Sequence, residues 1–175
     1  MTGELTERVI NGQLDLATLL RNETRAGVRS TPMFRENLHV ISPASFGLPS
    51  RVRLADVGAL RLLLPSTRHT LRALYDAVFR QAEITPAIVA EIDSVSMIKA
   101  AVVAGIGATI NPLSSWTEEL EAGLVRSSRA TDFPMQLNFW LSCSPAPATA
   151  ASDAVCAVLE QIVIDVAPPG RSTAG

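Results

Sequence analysis

The sequence predicts an α/β chain in which strands and helices alternate. Short apolar runs end at proline over 38–43, 60–65 and 108–112. Between them, 71–79 and 95–102 carry apolar residues at helical spacing, and Gly105-Ile106-Gly107 joins a helix to a strand. Such alternation fits a parallel sheet with helices on both faces. The 175 residues suffice for one ordinary domain or two small lobes, and 47% hydrophobic against 18% charged residues indicates a globular chain. A net charge of -2 and a pI of 5.7 argue against a surface that grips a phosphate backbone. No apolar run approaches the roughly 20 residues needed to span a bilayer. The start, Met1-Thr2-Gly3-Glu4, lacks the basic and apolar parts of a signal peptide. With only Cys143 and Cys156, the expectation is a reduced, cytoplasmic protein.

Residues 4–11 read as a helix stopped by Gly12. Leu14, Leu16 and Leu20 suggest a strand, with Ala17 and Leu19 apolar on its other face, as in a strand buried on both sides of a parallel sheet. Residues 21–32 read as polar loop, 38–41 as a strand ended by Pro43, 44–52 as irregular and 54–57 as a helical turn. A strand over 60–64 is closed by Pro65, and Leu71, Leu74, Tyr75, Val78 and Phe79 form one helical face. Pro86 opens a strand in which Ile88, Ala90 and Ile92 alternate. The next helix is expected to be capped by Asp93 and stapled by Ile92 against Met97, with Val95, Ile98 and Val102 on one face. Gly105 closes that helix and Gly107 turns the chain into a strand. Ser115 and Glu118 form a capping-box pattern, and 124–125 and 135–143 read as strands. The last helix carries Val155, Leu159, Ile162, Val163 and Val166, followed by a tail expected to be disordered.

In this order the residues resemble a known family. V-x-x-G-x-L-D-L-A (9–17), L-x-V-x-x-P (38–43), L-x-D-V (54–57) and L-L-L-P-S (62–66) are similar to the effector-binding domain of LysR-type transcriptional regulators. So is D-S-V-x-x-I-K-A-x-V-x-A-G-I-G-x-T-I-x-P (93–112), the most specific segment. The likeness runs to about residue 166, and L-P-S-T-R-H-T-L-R (64–72) resembles the subgroup of the nitrogen assimilation control regulator. The resemblance implies a periplasmic-binding-protein-like fold of two small Rossmann-like lobes, with a small effector in the cleft between them. The lobes are expected at 1–59 with 132–175, and at 60–131. It implies homodimers or homotetramers, and DNA reached only through a helix-turn-helix domain that this chain does not contain. The first strand of lobe I is expected to be missing as well, as in a truncated frame or a domain fragment.

Ser66, Thr67 and Arg68 follow a strand and precede a helix, so their N–H groups and hydroxyls suit a carboxylate. Capping of that helix is the competing account, and the family likeness favours contact with the effector. Ser94 and Ser96, at the next helix start, carry the same two accounts. Asp93 reads as a cap, because an acid opposes an anionic effector. Thr109, with Asn111, would reach the cleft from the following strand, and His69 would add positive charge near the first loop. Trp116 and Trp140 read as packing or interface residues. The first and last helices have stripes that the family would place at a dimer face, unless they cover their own sheet.

Catalysis finds no support in the sequence. Gly105-Ile106-Gly107 leads into a strand, opposite to a dinucleotide fingerprint. There is no Walker-type loop and no nucleophile elbow. The two histidines and two cysteines lack zinc spacing, so no metal and no cofactor are expected. The expected function is ligand sensing for transcription, with a small anion such as a carboxylate as partner. A free-standing solute-binding protein and a fragment acting only through dimerisation are the alternatives.

Overall fold

The computed structural model of the protein describes residues 2–20, 27–133 and 135–166. In chain order the elements are helix α1 (Thr2–Ile10), strands β1 (Leu16–Leu19) and β2 (Arg29–Pro43), a 3₁₀ turn (Ala44–Phe46), β3 (Arg51–Val52), α2 (Leu54–Ala59) and β4 (Leu62–Leu64). Then come α3 (Thr70–Gln81), β5 (Ile88–Glu91), α4 (Val95–Val103), β6 (Thr109–Pro112) and a second 3₁₀ turn (Leu113–Ser115). The chain ends with α5 (Thr117–Glu121), β7 (Val125–Ala130), β8 (Gln136–Cys143) and α6 (Ala150–Val166). Two compact units result, one of residues 1–36 with 137–175 and one of residues 37–136. The second unit reaches beyond the expected 60–131, because 38–43 of β2 pair with β6 and β7.

In the first unit α1 stops as expected at Gly12, whose φ is +69°, and the Gln13 N–H closes the end on the Arg8 carbonyl at 2.8 Å. Val9 is fully buried with Ala17 and Leu19, and Leu14 and Val28 pack against them. β1 pairs antiparallel with β8, from Leu16 opposite Cys143 to Leu19 opposite Trp140. Only its Ala17 and Leu19 face is buried, since Thr18 is exposed and Leu14 and Leu20 fall outside the strand. The expected doubly buried parallel strand is therefore corrected. The polar loop is also shorter than expected, since β2 already begins at Arg29, while 21–26 lie outside the described residues. Phe34 stacks on Phe139 with ring centroids 4.3 Å apart, and β8 alternates buried Leu137 and Leu141 with exposed Gln136 and Asn138. On α6, Cys156 and Leu159 are half-buried, whereas Val155, Val158 and Ile162 are about half exposed. The side chains of Val163 and Val166, Pro134 and the tail from 167 lie outside the described residues.

In the second unit strands pair in both directions and β4–β5 form a separate two-stranded sheet, which corrects the expected single all-parallel arrangement. β2 pairs antiparallel with β6 and β7, β3 pairs parallel with β7, and β4 pairs parallel with β5. Segment 44–52 is not wholly irregular, since it holds a 3₁₀ turn and β3. α2 forms where a helical turn was expected, and Asp132 caps it by accepting the Leu54 N–H at 2.8 Å. On the other side of β4 the chain crosses at Ala108, with the Leu63 N–H donating to the Ala108 carbonyl and the Ala108 N–H to the Arg61 carbonyl, each 2.8 Å. A Cβ at Gly107 would collide with that Arg61 carbonyl oxygen, so glycine is needed there for close approach; its φ is not positive. Leu62, Leu63 and Leu64 are fully buried, each contributing about 1.5–3 kcal/mol relative to exposure. Leu63 packs with Ile41, Ile98, Val102, Val125 and Trp116.

Trp116 is thus a core residue, as the packing account expected. Its ring also faces the Nζ of Lys99 at 5.7 Å, and Lys99 donates to Glu119 at 3.0 Å. The Ser115–Glu118 capping box does not form, because Ser115 closes the 3₁₀ turn and α5 starts only after Trp116 without a side-chain cap. β7 begins at Val125, one residue later than expected, and continues to Ala130.

α3 ends without glycine. Glu83 takes the left-handed conformation at φ +56°, and the Ile84 N–H closes the end on the Phe79 carbonyl at 2.9 Å. We expect Glu83→Gly to stabilise the fold by about 0.5–1 kcal/mol, since the left-handed cost outweighs the entropy that glycine adds to the unfolded chain. The check is a higher urea midpoint at unchanged slope.

Tyr75, the sole tyrosine, is fully buried and donates its hydroxyl proton to the Ile110 carbonyl at 2.6 Å. Burial lifts its phenol far above the usual range. The unfolded phenol ionises near pH ~10 while the folded one keeps its proton. Its stabilisation is therefore intact below about pH 10 and is lost as pH rises beyond that. Melting temperatures measured from pH 8 to 11 should fall at the alkaline end. Tyr75→Phe should be less stable by about 1 kcal/mol at pH 8 and show a shallower alkaline fall.

Candidate ligand site

β4 and β5 run parallel and end side by side, with Leu64 opposite Glu91 and the Ile92 N–H donating to the Leu64 carbonyl at 2.8 Å. Loops at the carboxyl ends of parallel strands are where open α/β sheets hold ligands. After β4, the His69 N–H donates to the Ser66 carbonyl at 3.0 Å, which leaves Thr67 and Arg68 exposed at the corner of a turn. After β5, the chain passes through Asp93 and Ser94 into α4.

The two loops join at one point. Ser66 donates its backbone N–H to Asp93 Oδ1 at 2.8 Å and its hydroxyl proton to Oδ2 at 2.9 Å. The N–H first and the hydroxyl second, with a smaller pull from His69, hold the Asp93 carboxyl below the usual carboxylate range. Asp93 is therefore not the helix cap that the sequence suggested. Val95 is the first helical residue, so the cap falls to Ser94, whose Oγ accepts the Met97 N–H at 3.4 Å and lies 3.0 Å from Ser96 Oγ. The shift by one residue also undoes the Ile92–Met97 staple, and Met97 is 64% exposed. Ile98 and Val102 form the buried face, while Val95 points to solvent at 61% exposure.

Ser66, Thr67 and Arg68 thus lie in the loop that the Ser66–Asp93 bridge joins to the Ser94–Ser96 turn. Thr109 does not join this exposed group. It is fully buried, its hydroxyl donates to the Leu63 carbonyl at 2.7 Å, and Asn111 donates to its oxygen at 3.3 Å. His69 caps α3, with Nδ1 accepting the Leu71 N–H at 3.2 Å. Among the described residues no group of three or more His, Cys, Asp or Glu could hold a metal ion, and no helix is long and apolar enough to cross a membrane.

Arg72 was not singled out from the sequence, yet it fixes the first loop. Its side chain is only 10% exposed; Nε donates to Asp76 at 2.8 Å, and one terminal nitrogen donates to Glu91 at 2.6 Å and to the Pro65 carbonyl at 3.0 Å. The carboxylates of Asp76 and Glu91 raise its already high pKa further. The Arg72–Asp76 pair sits at helical i, i+4 spacing and was legible in the sequence. The contacts to Glu91 and Pro65 depend on strand pairing and were not.

Comparison with known proteins places this geometry in a family. The chain belongs to the LysR substrate binding domain family, whose model matches residues 1–162. It is 32% identical over 111 residues to the nitrogen assimilation regulatory protein nac of Klebsiella aerogenes, covering 63% of this chain and 36% of that protein. The regulatory domain of Synechocystis CcmR, solved in complex with 2-PG, is similar with a TM-score of 0.82 at 14% identity, over 93% of this chain and 79% of that one. The effector binding domain of QuiR, in complex with shikimate, gives 0.79 at 18% identity, over 94% and 78%. The fold is accordingly the periplasmic-binding-protein-like one of two α/β units. The chain spans little more than a third of the length of its nac relative.

Arg72→Ala should cost about 2 kcal/mol, combining its lost packing with the unmade bonds to Pro65, Asp76 and Glu91. The two carboxylates are partly exposed, at 39% and 45%, and solvent screens their share. A urea midpoint, compared with that of Arg68→Ala at the exposed corner, measures the difference.

Proposed function

We propose that this chain is the ligand-sensing domain of a LysR-type transcriptional regulator and takes a small anion at the loops after β4 and β5. The observation that carries the proposal is Ser66, whose N–H and hydroxyl already converge on a carboxylate from within the chain. An effector carboxylate or phosphate would compete with Asp93 for those donors, with Arg68, Thr67 and the hydroxyls of Ser94 and Ser96 close in the chain. CcmR with 2-PG and QuiR with shikimate support a small acid as the class of effector. Thr109 would serve this site by holding β6 to β4 through the Leu63 carbonyl, since contact with an effector would break bonds it already makes.

The two compact units would be the two effector lobes. Val155, Val158 and Ile162 on α6 support pairing of two copies through that helix, as in a homodimer. Control of transcription, a cytoplasmic location and DNA contact through a separate helix-turn-helix domain belong to the same proposal and rest on the relatives' role.

The test is thermal unfolding of the purified chain with shikimate, other small carboxylates and inorganic phosphate. Ligand at about 100 times its Kd adds about 2.7 kcal/mol, raising the melting temperature by about 5–10 °C. Ser66→Ala should abolish the rise. A rise that survives Ser66→Ala puts the site elsewhere, and a cooperative transition that none of these anions moves counts against an anionic effector.

A further inference from the structure

Cys143 on β8 and Cys156 on α6 are free thiols, yet their sulfurs lie 3.6 Å apart. A disulfide needs about 2.05 Å, so closing the pair takes roughly 1.5 Å of sulfur travel, within reach of small side-chain rotations. Both residues are half-buried, and they line a cavity of about 20 Å³ together with Arg29, Ser152 and Asp153. That volume admits about one water-sized molecule, enough for a small oxidant to begin its approach to the sulfurs. All of these residues belong to the first unit, apart from the Ser66 loop.

We propose that Cys143 and Cys156 form a reversible thiol–disulfide site that closes in response to a small hydroperoxide. The Cys143 thiolate attacks one peroxide oxygen and the O–O bond breaks. Cys143 becomes a sulfenic acid, and the departing oxygen leaves as an alcohol, or as water from hydrogen peroxide, after taking up a proton. The Cys156 sulfur then displaces the sulfenic oxygen, which departs as water with the Cys156 proton, and the S–S bond forms. Two thiols are oxidised by two electrons and one peroxide is reduced. Burial first, then the bond to Cys143 and the charges of Glu160 and Asp153, push the Cys156 thiol up to about 11. Cys156 therefore keeps its proton at neutral pH, which suits the second, resolving position.

The bond would pin α6 to β8 one residue beyond Val155, at the start of the exposed apolar stripe. Without it, the first half of α6 is held there by noncovalent packing alone. The site is independent of effector binding, and its test is separate.

The reduced natural chain would be treated with a stoichiometric amount of hydrogen peroxide, alkylated and weighed intact, then mapped by proteolysis. The expected product has lost the mass of two hydrogens, takes up no alkylating agent and yields one linked peptide pair containing Cys143 and Cys156. Dithiothreitol should restore both thiols. Cys156→Ser should instead accumulate a sulfenic acid on Cys143 that dimedone traps. Two alkylatable thiols after oxidant, sulfinic acids without a link, or a link only between two copies would each overturn the proposal. The measurement on the natural chain decides it even if a variant does not fold.

Discussion

The close crossing of β4 between β5 and the 107–109 segment is the constraint on which the second unit depends. Three leucines in a row are fully buried on β4, and their backbone is satisfied on both sides, by β5 and by Ala108. Backbone groups buried in this way must be paired, and pairing at Arg61 and Ala108 demands an approach that only glycine at 107 permits. Once β4 and β5 are fixed in parallel, their ends are fixed too. The two loops that follow cannot avoid one another, and Ser66 meets Asp93.

The chemistry of that meeting follows from elementary electrostatics. A carboxylate with a backbone N–H and a hydroxyl pointing at it is better stabilised than one in water, and its depressed pKa expresses this. Arg72 acts from behind, tying the Pro65 carbonyl to Glu91 on the neighbouring strand and to Asp76 on its own helix. A nearly buried guanidinium with three acceptors is a stiff joint, so the loop carrying Ser66 has a fixed origin. The arrangement holds one carboxylate of the chain itself, that of Asp93, between two loops.

Much of this was legible in residues alone. The helical face of α3, Ile98 and Val102 on α4, the stops at Gly12 and Gly105, and the strand ends near Pro43, Pro65 and Pro112 lie close to where periodicity and proline placed them, whereas Val95 turns to solvent and β2 starts already at Arg29. The family likeness, read from the 93–112 segment, agreed with the family model that matches the chain. What failed was anything requiring a choice of partner. Asp93 and Ser94 are equally good caps by composition, and a one-residue difference in helix start decided between them. Leu14, Leu16 and Leu20 suggested a doubly buried strand, whereas antiparallel pairing with β8 shows only one covered face.

The sequence by itself determined most of the helices and strands, the apolar face of α3 and which family the chain belongs to, because these depend on local periodicity and on motifs contiguous in the chain. Tertiary structure alone decided strand direction, the membership of 37–59 in the second unit, the Ser66–Asp93 bridge, the Arg72 joint and the approach of Cys143 to Cys156. Each of these joins residues separated by a loop or an intervening element. Their contact depends on pairing register and on which side chain wins a shared donor, and no local pattern encodes that competition.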